Sequence, residues 1–356
     1  MRPKRFAKAL LGQALVHSGL WQRRLRSWAR RNAAIVVTYH PVAEKWDEML
    51  DYSQPGMVVT AAGFERQIDV LMQHFDIVPL STLLDDRTSQ RSRPRCVITF
   101  DDGWRDNYDL ALPILQRRNV PATIYLATDF VGTDRAFWHT ELIYLFMQTD
   151  VSALLANKRG LEHYPAAVRH ELRSLATIRS LQASDLDMLI ETVKALCDEE
   201  TIEDLVETLG QTVGLRRPFI PGRRFFVDWE QARAMAAAGV EIGSHGCSHR
   251  ILTRLSAEAA RDELVRSKAE IERRVGVKVE HFAFPNEAGS DALVNAAAAA
   301  GYRTACVAAP ATHGEVGSVQ PLRRLGMHEG VWGDGRSFDE RLLRYWLFRA
   351  PEAVAA

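Results

Sequence analysis

The chain has 356 residues, with 45 Lys and Arg balanced by 45 Asp and Glu, 47% hydrophobic and 25% charged. That length suits one large domain with insertions, or two small ones, and the charge balance excludes a global polyanion-binding signature. Cys96, Cys197, Cys247 and Cys306 are scattered with no CxxC pair, which argues against a disulfide framework or a thiolate zinc site and suits a reducing compartment.

The first 33 residues depart from this average. Arg2, Lys4, Arg5 and Lys8 open them, Arg23, Arg24, Arg26, Arg30 and Arg31 close them, and no acidic residue precedes Glu44. The apolar stretch between, Ala9 to Val16, is broken by Gln13. It is too short to span a bilayer and lacks a clean signal-peptide cleavage site. Two readings stand side by side. A basic amphipathic helix over residues 1–33 lies on an anionic membrane through residues 1–31, with Leu20, Trp21, Leu25 and Trp28 inserting. Alternatively, the helix packs on the domain with its arginines in water. The expected location is cytoplasmic, peripheral at the inner membrane face.

Short apolar runs rich in β-branched residues predict strands at Ile35–Tyr39, Cys96–Phe100, Ala122–Ala127, Val240–Gly243, His281–Phe284 and Thr304–Val307, with a weaker one at Ile77–Leu80. Helical periodicity falls between them, at Ala61–His74, Asp109–Arg118, Asp228–Ala238, Ala257–Gly276 and Asp291–Ala300. Alternation of this kind predicts parallel βα units, closed as a barrel or doubly wound. Residues 34–136 and 226–330 carry it. Residues 137–225 hold helical patterns such as Leu181–Leu196 and Ile202–Val213 and no convincing strand. They read as a helical insertion, either a substrate-facing lid or a peripheral elaboration. Residues 331–356 read as a helical tail.

Functional groups of parallel α/β sheets collect at the C-terminal ends of strands. Here one strand ends at His40, one at Asp101 and Asp102, one at Ser244 and His245, and one at Pro285 and Asn286. His245 and His249 are four apart, so a helical turn after the strand would put both rings on one face, suited to one divalent ion. One carboxylate completes a three-ligand set, and its neighbour, diverging on the strand, is free to take a proton from water. An isolated HxxxH or Asp-Asp-Gly is a weak signal; their joint placement at strand ends is what points to metal-assisted hydrolysis. Cys247 reads as a packing residue, and the absence of a G-x-S-x-G elbow around Ser244 argues against a serine hydrolase.

Thr99-Phe100-Asp101-Asp102-Gly103 with Trp104 resembles the first motif of the polysaccharide deacetylases, the NodB-homology domain of carbohydrate esterase family four. His245 to His249 resembles the second motif, and Phe282-Ala283-Phe284-Pro285-Asn286 resembles a third, less specific one. The resemblance implies a distorted (β/α) barrel of about seven strands that removes acetyl groups from an N-acetylated sugar. It implies Asp101 as base and Asp102, His245 and His249 as ligands of a divalent metal, most often zinc, with cobalt or nickel as alternatives. Trp104, Phe284, Pro285 and Asn286 fall on substrate-contacting positions. Tyr39-His40 resembles the early position of the catalytic acid in a circularly rearranged branch, and His328 in Leu325-Gly326-Met327-His328 resembles the later one; His40 is the preferred assignment. Three departures stand out, one being Asn286-Glu287-Ala288-Gly289 after Pro285 in place of a short x-Gly turn. Gly246 replaces the usual Ser or Thr, and no arginine in the third motif is available to pair with the base.

The expected function is therefore metal-dependent N-deacetylation of an N-acetylhexosamine-containing polysaccharide or lipid-linked glycan. The alternatives are a deacylase or deformylase acting on another non-peptide amide and, from a different class, an inactive glycan-binding module. The intact Asp101, Asp102, His245 and His249 set argues against the last. No nucleic-acid-binding module is recognised.

Overall fold

The computed structural model describes residues 3–85, 91–220, 222–308, 319–329 and 338–353. Arg2 of the basic cluster, residue 330 of the second barrel segment, and residues 331–337 and 354–356 of the expected tail lie outside the described residues.

Eleven strands are present among the described residues: β1 (Ala34–Tyr39), β2 (Val42–Ala43), β3 (Val59–Thr60), β4 (Asp76–Ile77), β5 (Arg95–Phe100), β6 (Thr123–Leu126), β7 (Glu241–Ser244), β8 (His281–Ala283), β9 (Thr304–Cys306), β10 (Gln320–Leu322) and β11 (Arg324–Gly326). The main sheet runs β10-β9-β8-β7-β6-β5-β1-β11, with β4 beside β5, and every pairing in it is parallel. These eight path strands curl into a nearly closed barrel, close to the expected seven. Every position of β1 and β5 is buried, as parallel strands covered on both faces require. The sequence pattern missed β10 and β11, which are three residues each, β10 carrying Pro321 at its centre and β11 opening on the charged Arg324.

The flanking helices start where side-chain caps are available. Thr60, Ser256 and Ser290 accept from backbone N–H groups at the starts of Ala61–His74, Ala257–Val275 and Asp291–Ala299, and Asp228 forms a capping box with Gln231 before Trp229–Ala237. The expected helix Asp109–Arg118 is instead a π-helical turn, Asn107–Ala111, followed by Leu112–Arg118. Pro113 lacks the N–H an α-helix would need there.

The N-terminal region forms two helices, Pro3–His17 and Leu20–Arg30. Trp21, Leu25 and Trp28, which one of the two readings inserted into a membrane, lie in the protein core, as the packed reading had it. Trp28 Nε1 donates to Glu352 at 2.8 Å, and Arg31 forks onto the same carboxylate. The first helix packs closely on the C-terminal helix Glu340–Phe348. A Cβ at Gly12 would lie 1.9 Å from the Arg341 carbonyl oxygen.

Between β6 and β7 run the helices Trp138–Gln148, Val151–Leu154, Ala166–Leu175, Asp187–Leu196 and Glu199–Thr212. They bury an apolar cluster, including Leu142, Ile190, Leu205 and Leu209, that extends to Met49 and Trp104. Each such side chain contributes about 1.5–3 kcal/mol on burial.

Candidate active site and metal centre

The C-terminal ends of β1, β5, β7, β8 and β11 open onto a cavity of about 1380 Å³. Its lining includes His40, Asp101, Asp102, His245, His249 and Arg324. The chain turns abruptly at the site, because Asp102 and Gly103 both adopt left-handed backbone, with φ of 74° and 79°. Successive side chains therefore leave the strand in different directions, and Asp101 and Asp102 make different contacts.

Asp102 faces the two histidines. Its Oδ1 lies 3.3 Å from His245 Nε2 and 3.2 Å from His249 Nε2, and one ligand atom from each of the three residues falls within 4.8 Å of the others. His245 Nδ1 is 2.7 Å from the Ala283 carbonyl oxygen. That acceptor commits the Nδ1 proton and leaves Nε2 facing the carboxylate. Two lone pairs cannot share that space without a positive charge between them, supplied by a second proton or by a cation. A buried carboxylate and two imidazoles converging on one point fit a divalent metal ion. Burial pushes the Asp102 carboxyl up, but the hydrogen bonds to His245 and His249 outweigh it and hold it well below the usual range.

The His245–His249 segment is not helical, contrary to expectation. Gly246 and His249 take φ of 82° and 59°, forming a loop that brings the ring centroids to 5.1 Å. Gly246 is required by this backbone, and a Cβ there would also lie 3.0 Å from Glu263 Oε2. The loop is secured by Glu263, a buried carboxylate that accepts from the N–H groups of Cys247 and Ser248 and from the Ser248 hydroxyl. Phe137 stacks on His249 from the other side, 4.0 Å between centroids.

Asp101 faces Arg324 and His40. Arg324 donates through Nη1 to Oδ1 and Nη2 to Oδ2, both at 2.7 Å, and its Nε donates to Glu287 at 2.9 Å. The arginine missing from the third motif is thus supplied by β11. Burial pushes the Asp101 carboxyl up, but Arg324, His245 and His40 outweigh it and hold it below the ordinary carboxylate range. His40 Nε2 lies 3.7 Å from Asp101 Oδ2. The His40 backbone is fixed by Asn107 Nδ2, which donates to its carbonyl at 2.9 Å, and Asp106 accepts from Val42 N–H in the same loop. The Trp104-Arg105-Asp106-Asn107 run thus ties the Asp101–Asp102 turn to the His40 loop.

Two expected substrate contacts are corrected. Trp104 is buried and absent from the cavity wall; its Nε1 donates to Asp102 Oδ2 at 2.7 Å. Phe284 is fully buried against Phe282. Pro285 and Asn286 do line the cavity. His328 is not on the cavity wall, and burial lowers its pKa to about 4. Of the two candidate acids, the cavity therefore holds His40. Arg324, Glu263 and Asn107 were missed by sequence reasoning. Each acts through a contact distant in sequence and sits in no motif.

The profile of the family described as "Polysaccharide deacetylase" matches residues 88–171 and 197–305, more than half of the chain. A search of curated proteins found no match. Among solved structures, the chain is similar to the Streptococcus pyogenes deacetylase PplD in complex with acetate, at 14% identity and a TM-score of 0.53, covering 88% of this chain and 98% of that one. It is similar to IcaB from Ammonifex degensii at 14% identity and a TM-score of 0.52, covering 88% and 96%. The polysaccharide deacetylase BC0361 from Bacillus cereus gives 15% identity and a TM-score of 0.52, covering 88% and 69%. At these identities the structures establish the shared fold.

Proposed function

The chain belongs to the polysaccharide deacetylase family, hydrolases of non-peptide carbon–nitrogen bonds, and we propose that it removes N-acetyl groups from an N-acetylhexosamine-containing polysaccharide or lipid-linked glycan. The observation that carries this reading is the division of labour between adjacent aspartates. Asp102 converges with His245 and His249, while Asp101 is held by Arg324 beside His40.

Asp102, His245 and His249 would hold the cation, with zinc the leading choice and cobalt or nickel the alternatives; such an ion lowers the pKa of water and polarises a carbonyl. Asp101, kept ionised by Arg324, accepts the proton of the attacking water as it adds to the acetamide carbon. The two parallel hydrogen bonds from Arg324 fix the carboxylate in rotation as well as charge. His40 donates a proton to the departing nitrogen as the carbon–nitrogen bond breaks. Acetate and an ammonium sugar leave, Asp101 returns its proton to solvent, and His40 takes one up before the next turnover.

Acetate release from N-acetylated chitooligosaccharides and lipid-linked glycans, with added zinc, cobalt or nickel, tests the reading. Activity in the wild-type protein and its loss in Asp101→Asn with metal content intact are expected. Release of formate or a longer acyl group would move the assignment to a deformylase or deacylase. Glycan binding without any release would make the protein a binding module.

We further propose peripheral contact with an anionic membrane through residues 1–31, by a face different from the one the sequence suggested. Phe6, Leu10 and Leu11 are about half exposed on the first helix, and Leu20 is exposed beside it. Exposed Arg23, Arg26 and Arg30 follow, with no acidic residue in the segment. Apolar side chains bordered by unopposed cations suit a surface of anionic lipid.

A further inference from the structure

The helical insertion contributes to the cavity wall. Ala136, Phe137, Trp138 and His139, at the start of helix Trp138–Gln148, line the same cavity as Asp101 and His249. Lys194, on another insertion helix, donates to Asn286 Oδ1 at 3.4 Å and ties the insertion to the β8 loop. The imidazole of His139 lies 6.1 Å, centroid to centroid, from that of His249.

His139 is an unusual residue to find there. Its imidazole makes no hydrogen bond among the described residues, and its Nδ1 is buried without a partner. Its ring is placed by aromatic neighbours instead, edge-on to Trp138 at 5.5 Å and tilted against Phe137 at 5.3 Å. Buried polar atoms are ordinarily satisfied, and this unpaired one belongs to a ring on the cavity wall, so the imidazole is not committed to a partner within the fold. Trp138 is half-buried at the cavity wall beside it. Together the pair presents an aromatic surface and an imidazole with free hydrogen-bonding capacity. A pyranose has the matching chemistry, with a C–H face for the indole and hydroxyls for the ring nitrogens. The cavity, at about 1380 Å³, is larger than the ~300–1,000 Å³ typical of small-ligand pockets, which leaves room for more than one sugar.

Building on the deacetylase reading, we infer that Trp138 and His139 form a sugar-binding subsite through which the insertion positions a pyranose ring of the glycan. Trp138 stacks on the ring, and His139 takes one of its hydroxyls. Neither takes part in bond breaking; both act on glycan affinity.

Titration of the full-length, zinc-loaded Asp101→Asn protein with tetra-N-acetylchitotetraose tests this without turnover. Adding Trp138→Ala should weaken binding about tenfold, from loss of the apolar indole face against the sugar C–H groups. Trp138→Phe should restore most of the affinity, and His139→Gln should weaken it several-fold, with zinc content and melting temperature unchanged in each. In the active protein the same substitutions should raise KM more than they lower kcat. Met188→Ala, exposed on the insertion, is the control. Acetate release by the wild-type protein with Kd and KM unaltered in the Trp138 and His139 variants would overturn the subsite alone. Absence of both binding and acetate release in the parent proteins would overturn the deacetylase reading and the subsite with it.

Discussion

Arg324 and Asp101 meet through two parallel hydrogen bonds of 2.7 Å across 223 residues of sequence, with both side chains buried. The pair sets both the charge and the orientation of the carboxylate. Lysine at 324 would keep a cation nearby but lose the fork. Arg324→Lys should therefore lower kcat/KM about 100-fold, the scale set by a misplaced reacting group, with metal content retained. Arg324→Ala should also lose about 3–5 kcal/mol of stability, because it strands a buried carboxylate. Steady-state kinetics and urea denaturation of the two variants separate these effects. Wild-type kinetics in Arg324→Lys would show that the base needs only a nearby charge.

Trp104 bears on the candidate metal site without lining the cavity. Its indole N–H occupies Asp102 Oδ2, leaving Oδ1 directed at His245 and His249. Hydrogen-bond partners of ligands typically account for about 10–100-fold in metal affinity. Trp104→Phe keeps an aromatic ring among Phe137, Phe225 and Phe226 and removes only the donor. Zinc affinity, measured against a competing chelator, should fall by about that factor while the fold persists. Unchanged affinity would reduce Trp104 to a packing residue.

The parts of this site that were legible in the sequence are those that lie on strand ends. A buried parallel strand is a continuous apolar run, and the polar residue that stops it faces the open end of the barrel; His40, Asp101 and His245 were found this way. What could not be read depends on contacts distant in sequence. Arg324 stands in the Arg323–Arg324 doublet on a three-residue strand, where nothing distinguishes it from a surface arginine. The His245–His249 pair suggested a helical face, whereas left-handed backbone at Gly246 and His249 makes a loop. Trp21 and Trp28 suited a membrane and a core equally well by composition, and only the partners decided: His74 and Phe75 pack on them.

The same burial changes how membrane contact should be tested. Deleting residues 1–31 would strip Trp21, Leu25 and Trp28 from the core and confound lost binding with lost folding. Substituting the exposed face avoids this. Leu10→Glu with Leu11→Glu should abolish flotation with vesicles rich in anionic phospholipid at low salt, leaving the melting temperature unchanged. Wild-type protein should be released by added salt, because the arginine contribution is screened over about 10 Å at 0.1 M. Equal flotation of the two proteins would remove the membrane proposal.

Glu141 gives the cavity a pH-dependent cost in stability. Burial pushes its carboxyl from 4.5 to about 7, against the opposing pull of Arg217, whose Nη2 is 2.7 Å away. Below pH 4.5 both the folded and unfolded chains carry the proton. Between 4.5 and 7 the unfolded chain releases it while the folded chain retains it, so stability falls as pH rises. Above 7 the whole penalty is reached, about 3 kcal/mol for a shift of this size. Glu141→Gln has no proton to lose, and Arg217 keeps Glu203 as a partner. The variant should therefore gain on the wild-type protein by about 2–3 kcal/mol between pH 5 and pH 8, read from urea midpoints at the two values. A constant difference would mean that the Arg217 ion pair holds Glu141 ionised throughout, and that burial is the weaker of the two effects.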